Sequence, residues 1–319
     1  MTEPTPALLL TVTVESDRPR GQVNARTAFE NLAGVARLGR LCERFGVRPT
    51  WLVSWPVMRH AEREQLDALA RLGEVGTCLQ PWVTPPFRAQ EDRLRPVCPA
   101  AIPASAVAEK MAELTRCFEE TFGGAPTAHR APSAGLDGAT LQALERHGYL
   151  VDSSATPHLE GPVGARADWR RAPEVPWFPD RQVPATRGSS PVLEVPVTIE
   201  WDRPVPSLMR LALDRWSDEG TAGKLRRQVA RPRRLDPLAL DAKALRGLAE
   251  RTVARGIPCL NMPLRSRELV PGCSARALKA EDVDRLFHTL EAFLRFTVDE
   301  LRATPTTLTD FARSYVSPP

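Results

Sequence analysis

The sequence predicts an α/β fold, namely a distorted (β/α) barrel of about seven strands. Strand-like segments alternate with amphipathic segments about seven times, which is the order of parallel strands joined by crossover helices. Polar residues follow the strand segments at their carboxyl ends, where such barrels assemble their sites. No Gly-x-Gly-x-x-Gly motif follows the first strand, so a dinucleotide-binding open sheet loses its main support.

The individual elements follow from residue spacing and from the residues that break it. Apolar and β-branched runs bounded by Gly, Pro or polar residues predict strands at Ala7–Glu15, Val47–Val53, Glu74–Gln80, Pro126–Ala131, Tyr149–Asp152, Val192–Ile199 and Pro258–Leu264. Apolar residues three and four apart predict helices around Leu32–Phe45, Ala61–Leu72, Val107–Phe118, Leu136–His147, Leu238–Ala254 and Val283–Leu294. The stretch 153–191 is predicted to be an irregular loop excursion within a single domain that spans residues 1–319.

Composition narrows the class of protein. A chain of 319 residues, 42% hydrophobic and 26% charged, is typical of a globular protein with one large core. The net charge of +4 is mild, and the dense basic run 224–234 is either a solvated face or a contact for an anion or acidic polymer. The sequence has neither zinc-finger spacing nor a basic motif interleaved with aromatics, so nucleic acid is not an expected partner.

Location and redox state follow from the cysteines and the N-terminus. The six cysteines form no Cys-x-x-Cys pair, and no export signal precedes the first strand. The apolar run Leu8–Val14 is too short to cross a bilayer. We therefore expect a cytoplasmic protein with reduced cysteines and no membrane span; the sequence does not specify an oligomeric state.

Seven short segments occur in an order that is found in one known family. They are Glu30–Leu32, Phe45–Thr50, Glu74–Pro86, His129–Pro132, Gly148–Ser154, Leu193–Thr198 and Glu268–Gly272. In these segments the chain resembles the NodB-type polysaccharide deacetylases (carbohydrate esterase family 4), and the resemblance extends over nearly the whole chain. It implies a barrel like those of the deacetylases and glycoside hydrolases. It also implies a divalent metal held by one aspartate and two histidines, with an aspartate as general base and a histidine as acid.

The chain departs from this family at three strand ends. Relatives have His-x-His before Pro-Trp, where this chain has Cys78 and Gln80. Relatives have Asp-x-Glu after the first strand and a histidine near the last one, where this chain has Thr13, Glu15 and Arg265. The base position is thus lost at Thr13 and the acid position at Arg265. A guanidinium ~4 Å from a divalent ion costs several kcal/mol at an effective dielectric of about 20. We therefore expect no bound metal or other cofactor and no metal-dependent hydrolysis.

What remains of the family site is a polar pocket that carries positive charge. Asp17, Arg130 and Asp152 form the catalytic remnant that the resemblance implies. The predicted ligand-binding residues are Glu15, Cys78, Gln80, Trp82, Arg130 and Arg265. We expect them to bind a carbohydrate or sugar-derived molecule, with the arginines facing carboxylates or phosphates. Five tryptophans are interpreted either as platforms for sugar rings or as packing residues: Trp51, Trp55, Trp82, Trp169 and Trp177.

Four alternatives stay open at this point. In the first, the chain is an active N- or O-deacetylase whose divergent site uses zinc or another divalent metal. In the second, Asp17 and Cys78 form an unusual metal site with a loop histidine. In the third, Cys78 is a nucleophile beside Arg265, with His129 or His158 as its base. In the fourth, the chain is a structural partner of an active deacetylase, which a large exposed apolar patch would favour.

Overall fold

The computed structural model describes residues 5–17, 28–87, 97–160, 168–215, 223–224 and 228–315. Its strands are β1 (Ala7–Val14), β2 (Thr50–Ser54), β3 (Glu74–Cys78), β4 (Ala128–Arg130), β5 (Val151–Asp152), β6 (Leu193–Glu194), β7 (Ile199–Trp201), β8 (Pro232–Arg234), β9 (Cys259–Arg265) and β10 (Thr304–Pro305). Its helices are α1 (Ala33–Glu43), α2 (Trp55–His60), α3 (Arg63–Leu72), α4 (Ala104–Phe122), α5 (Gly138–Arg146), α6 (Ser207–Leu213), α7 (Ala242–Ala254), α8 (Ala280–Arg295) and α9 (Leu308–Ser314).

Seven parallel strands form a curled half-barrel in the order β9-β1-β2-β3-β4-β5-β6. The short strand β10 pairs with the start of β1 in the same direction, and β7 and β8 form a separate antiparallel ribbon. Helices connect the other successive strands of the sheet, whereas β5 and β6 are joined by a stretch without a helix among its described residues. The α/β barrel prediction is therefore confirmed, and all seven predicted strands are present.

Helix ends follow the signals in the sequence. Gly46 and Gly123 adopt left-handed backbone angles (φ 65° and 77°) just beyond α1 and α4, where the sequence predicts that these helices stop. Asp137 caps α5 by accepting a hydrogen bond from the backbone N–H of Thr140 at 2.9 Å. Asp241 caps α7 in the same way through Ala244.

The gap between β6 and β9 is bridged by one asparagine. The side-chain amide of Asn261 donates to the carbonyl oxygens of Val195 (3.2 Å) and Pro196 (3.1 Å). Its backbone N–H donates to the Thr198 hydroxyl at 2.8 Å, and its carbonyl accepts from the Thr198 N–H at 3.0 Å. These bonds replace a strand ladder, because Pro196 has no N–H to give to one. They also explain why the single strand predicted at Val192–Ile199 is two short strands, β6 and β7.

The barrel interior is apolar in its lower part, towards the amino ends of the strands, and polar in its upper part, towards their carboxyl ends. Alternate residues of the strands point inward, and the lower layer is built from Leu9, Leu52, Ala128, Val151, Leu193 and Cys259. Helix α9, which the sequence pattern does not predict, closes this end by packing Leu308 and Phe311 on that layer. Above the layer, inward residues of β1, β4 and β9 are polar, so the carboxyl ends of the strands form a polar mouth.

The stretch predicted as a loop excursion has the expected character in its described parts, 153–160 and 168–191. It contains isolated bridges, and Trp177 pairs with Glu194 through backbone hydrogen bonds of 3.1 and 2.8 Å. No helix among the described residues has the length and apolar character needed to cross a membrane.

Candidate functional site

The barrel mouth contains a hydrogen-bonded chain of three side chains from three strand ends. Glu15, which follows β1, is buried and accepts from the Gln80 amide through Oε2 at 2.8 Å. Its other carboxylate oxygen accepts from Nε of Arg267, also at 2.8 Å. The Glu15 backbone N–H donates to the Ser266 hydroxyl at 3.3 Å. The carboxylate of Glu15 is thus fully engaged by an amide and a guanidinium.

Arg130 forms the floor of the mouth. It is 7% exposed; its Nε donates to the Ser153 carbonyl at 2.6 Å, and its Nη2 donates to the hydroxyls of Thr11 (2.7 Å) and Ser153 (2.8 Å). The Thr11 hydroxyl donates a hydrogen bond to Asn261 Oδ1 at 3.1 Å, and the side-chain amide of Asn261 donates one to the Ser153 hydroxyl at 2.9 Å. This closed ring fixes the guanidinium in place. Burial lowers the pKa of Arg130 to about 10, so it remains a cation at neutral pH.

Asp152 does not share the barrel interior with Arg130. Its strand neighbour Val151 belongs to the interior layer, so Asp152 faces the surrounding helices, as do its register partners His129 and Glu194. Nδ1 of His129 lies 2.7 Å from Asp152 Oδ2, and Nε2 of His129 accepts from the Leu79 N–H at 3.4 Å. The shared-site prediction for Asp152 and Arg130 is therefore corrected to two groups on opposite faces of the sheet.

Glu194 is the protonated member of this outer group. Burial, and then the neighbouring Asp152 carboxylate, raise the pKa of Glu194 well above its usual value. Its Oε1 accepts from the N–H groups of Ser154 (3.0 Å) and Ala155 (2.8 Å), whereas Oε2 is buried with no donor. Burial opposes ionisation of Asp152, but hydrogen bonds from His129, Glu194 and Ser154 outweigh it and lower its pKa. A neutral Glu194 that donates its proton to an ionised Asp152 satisfies both groups.

Cys78 points into the barrel, next to Arg130 in register, and is fully buried. Burial first, and the Glu15 carboxylate second, raise the pKa of its thiol far above the usual range. Neither proposed base is suitably placed, because His129 faces the helices and His158 lies in a separate ion cluster with Asp214 and Glu174. These positions argue against the nucleophile alternative.

Asp17 lies at the rim and caps a helix. Its carboxylate accepts from the backbone N–H groups of Glu30 (2.9 Å) and Asn31 (3.0 Å), just before α1. In the part of the chain described here, the group of three potential metal-ligating side chains is Asp17, Glu30 and Cys273, whose ligand atoms lie within 4.8 Å of one another. The structure therefore groups Asp17 with Glu30 and Cys273, not with Cys78 as the sequence-based alternative has it.

Arg265 is exposed at the mouth, and Thr13, its register partner on β1, is half-buried. The residue that contacts Glu15 is instead Arg267, which the strand-end search does not include. Arg267 lies in a short 3-10 helix after β9, where strand alternation no longer indicates which way a side chain points. A second missed residue is Arg234, the last residue of the basic run, whose accessible side chain lies close enough to Arg265 to be affected by its charge.

The tryptophans act mainly as packing residues. Trp51, Trp169 and Trp177 are fully buried, and Trp82 is nearly so. Trp169 donates to the Ala134 carbonyl at 2.8 Å, and Trp177 to the Pro184 carbonyl at 3.0 Å. Half-buried Trp55 donates to Glu113 at 2.9 Å. The stacking interpretation is thus excluded for the three fully buried rings.

The donor set does not fit the divalent metal that the fold implies. Glu15 is a buried carboxylate at the mouth, and its two oxygens accept hydrogen bonds from Gln80 and Arg267. The Cys78 thiol stays protonated, whereas a metal needs the thiolate. The Arg267 cation would oppose a dication at the same carboxylate by several kcal/mol at ~4 Å and an effective dielectric of about 20.

Comparisons with solved structures agree with this architecture. A Mycobacterium smegmatis protein assigned as a polysaccharide deacetylase matches with a TM-score of 0.58 at 16% identity, over 99% of this chain and 95% of that chain. A Parabacteroides distasonis protein assigned as a glycoside hydrolase/deacetylase gives 0.64 at 14% identity, over 98% and 72%. The Puue allantoinase gives 0.52 at 14% identity, over 96% and 89%.

The chain therefore has the fold of the NodB-type polysaccharide deacetylases, as the sequence resemblance implies. At these identities the likeness concerns the fold alone. No protein-family model matches the chain. No match was found among curated proteins.

Proposed function

We propose that this protein is a repurposed member of the deacetylase fold, which binds a carbohydrate or sugar-derived molecule at the barrel mouth without metal-dependent hydrolysis. Its setting would be carbohydrate or cell-surface polysaccharide metabolism in the cytoplasm. One observation carries the proposal: an amide and a guanidinium, from Gln80 and Arg267, hold the Glu15 carboxylate where the family chemistry needs a metal.

The other residues of the mouth support a ligand-binding role more than a site without any function. Arg130 is held by a closed ring of hydrogen bonds, although burying its charge costs desolvation free energy. Thr13 and Arg265 above it stay accessible. A rigid polar floor below an accessible rim is the arrangement that fixes the orientation of a small ligand.

The proposal is tested by equilibrium binding of acetylated chito- and xylo-oligosaccharides, with acetate release measured in the same samples. We expect saturable binding without acetate release. Thr13→Trp should abolish the binding, because the indole fills the mouth. Thr306→Trp is the matched control, since Thr306 lines a cavity of about 490 Å³ at the opposite end of the barrel. Binding that survives Thr13→Trp, or acetate release by the wild type, would contradict the proposal.

A second candidate, an interaction protein, is favoured by one surface feature. Helix α6 exposes Leu208, Met209 and Leu211, with 83%, 46% and 57% of each residue accessible. These side chains lie on one short helix, and an exposed apolar patch of this kind is typical of a contact with a protein partner. Light scattering that shows a monomer at every concentration, together with no capture of an active deacetylase, would remove this candidate.

A further inference from the structure

Three arginines from three different strands stand around the barrel mouth. Arg265, the last residue of β9, is in register with Thr13 of β1, and Arg130 bonds to Thr11 two residues lower on the same face. Arg234 ends β8, and the next residue, Leu235, donates to the Thr198 carbonyl at 3.3 Å. Thr198 in turn joins Asn261 of β9, so the end of β8 lies at the seam beside β9.

Arg234 and Arg265 differ from neighbouring arginines in forming no ion pair among the described residues, although the charges of Asp236 and Glu268 do act on Arg234. Arg267 is paired with Glu15, and Arg276 bonds to both Asp236 and Glu268. Within the described ranges, the guanidinium groups of Arg234 and Arg265 make neither a hydrogen bond nor an ion pair.

Arg130 also has a hydrogen-bond donor at the floor of the mouth without a partner in the described part of the chain. Its Nε and Nη2 are fully used, but Nη1 has no hydrogen-bond partner among the described residues, although the residue is more than nine-tenths buried. This nitrogen can therefore donate to water or to a ligand group that enters the mouth.

The positive charges of these groups lower the pKa values of their neighbours. Burial, and then the Arg265 charge, lower the pKa of Arg234. Burial is also the main cause of the lowered pKa of Arg130, and the Arg234 charge adds to it. Arg234 is thus accessible to solvent yet densely surrounded by protein, as a side chain inside a concave site is. An anion placed among the three guanidinium groups would remove this repulsion.

We propose that the barrel mouth recognises the negatively charged group of its ligand, a carboxylate or a phosphate on a sugar, through Arg234, Arg265 and Nη1 of Arg130. The inference rests on the proposed function and specifies its ligand class. Guanidinium groups bind both oxyanions through paired, charge-assisted hydrogen bonds. Arg234 and Arg265 would hold the group from the rim, and Arg130 would fix its depth.

Calorimetric titration of the full chain tests this inference with three probes: a glucuronate-containing oligosaccharide, a hexose phosphate and a neutral oligosaccharide of the same length as the first. We expect one or both charged probes to bind at least ~10-fold more tightly than the neutral one, the equivalent of one charge-assisted contact. The two charged arms separate carboxylate from phosphate as the source. Affinity should fall with added salt, as it does for accessible charges.

The matched variants are Arg234→Gln with Arg265→Gln, and the control Arg313→Gln on α9. All three side chains are accessible, so the fold should survive, which circular dichroism would verify. The double variant should lose at least ~10-fold in affinity for the charged probe and nothing for the neutral one. Equal binding of charged and neutral probes, unchanged in the double variant, would overturn the inference and leave the proposed function standing. Absence of binding by all three probes would contradict both.

Discussion

Replacing His158 by asparagine is expected to lower the free energy of unfolding by about 3–5 kcal/mol, the cost of removing one partner from a buried ion pair. Nδ1 of His158 lies 2.9 Å from Asp214, and Nε2 lies 3.3 Å from Glu174. Asparagine tolerates the left-handed backbone at this position (φ 66°), so the loss reports the missing cation and not strain.

The loss of stability is large because His158 belongs to an ion cluster in which positive and negative charges balance. Arg210 bonds to Glu200 at 2.7 Å, and Arg255 bonds to Glu200 at 2.8 Å and also to Glu174. With a protonated His158, three cations face three carboxylates. Without it, Asp214 and Glu174 both lose their contact with the His158 cation, and Glu174 keeps its contacts with the two arginines. Because the cluster joins the loop excursion, β7, α6 and the end of α7, the loop should loosen together with the core.

The pH dependence of this effect has a defined sign. Burial opposes the charge on His158, but the contacts of its ring nitrogens with the Asp214 and Glu174 carboxylates, which favour the protonated ring, outweigh burial and raise its pKa to about 9 from 6.5. A raised folded-state pKa contributes stability that is complete below pH 6.5 and disappears as the pH rises through about 9. The wild type and His158→Asn should therefore differ most below pH 6.5 and converge above pH 9.

Urea titrations of both proteins across this pH range measure the difference, and His288→Asn is the control. His288 is an exposed histidine on α8, so its replacement should leave stability within about 0.5 kcal/mol of the wild type. A His158→Asn protein as stable as the wild type at pH 6 would show that His158 is neutral in the folded state.

Glu194→Gln is expected to stabilise the protein at pH 7 by about 1 kcal/mol or more. Folding favours the protonated form of Glu194, because burial and then the Asp152 carboxylate raise its folded-state pKa well above 4.5. An acid with a raised folded-state pKa stabilises the fold only below its unfolded pKa and costs stability above it. Glutamine carries no such cost, and its amide can donate to Asp152 while its oxygen keeps the bonds to Ser154 and Ala155.

The stabilisation should shrink as the pH falls towards 4.5, where the unfolded carboxyl is itself protonated. Glu200→Gln is the matched control, because Glu200 is equally buried but is held as a carboxylate by Arg210 and Arg255. That change should destabilise the protein. Thermal melts of both variants from pH 4 to pH 8 give the test. A Glu194→Gln protein less stable than the wild type at every pH would mean that Glu194 folds ionised.

The barrel could be predicted from the sequence because its signals are local. Apolar alternation marks β1 and β9, and Gly46 and Gly123 mark where α1 and α4 end. The sequence does not predict the short elements β10 and α9, because β10 is two residues long and α9 gains its stability from packing under the barrel. The closure by Asn261 likewise depends on partners more than 60 residues away.

The candidate site was predicted less completely than the fold. Periodicity places Glu15, Gln80 and Arg130 at strand ends, and these three do lie at the mouth. It does not show which face a side chain takes in a two-residue strand such as β5, so the sequence places Asp152 with Arg130, whereas Asp152 faces the helices. Arg234 and Arg267 lie in a basic run and in a short 3-10 helix, where sequence pattern alone does not distinguish a solvated charge from one that enters a site.

The central claim is that the mouth holds an arginine–carboxylate–amide chain in place of a catalytic metal. Its most direct test is elemental analysis of the purified protein after incubation with zinc, nickel or cobalt, combined with acetate release from acetylated oligosaccharides. We predict metal well below one ion per chain and no acetate release above the background rate. Stoichiometric metal together with acetate release that a chelator abolishes would contradict the account.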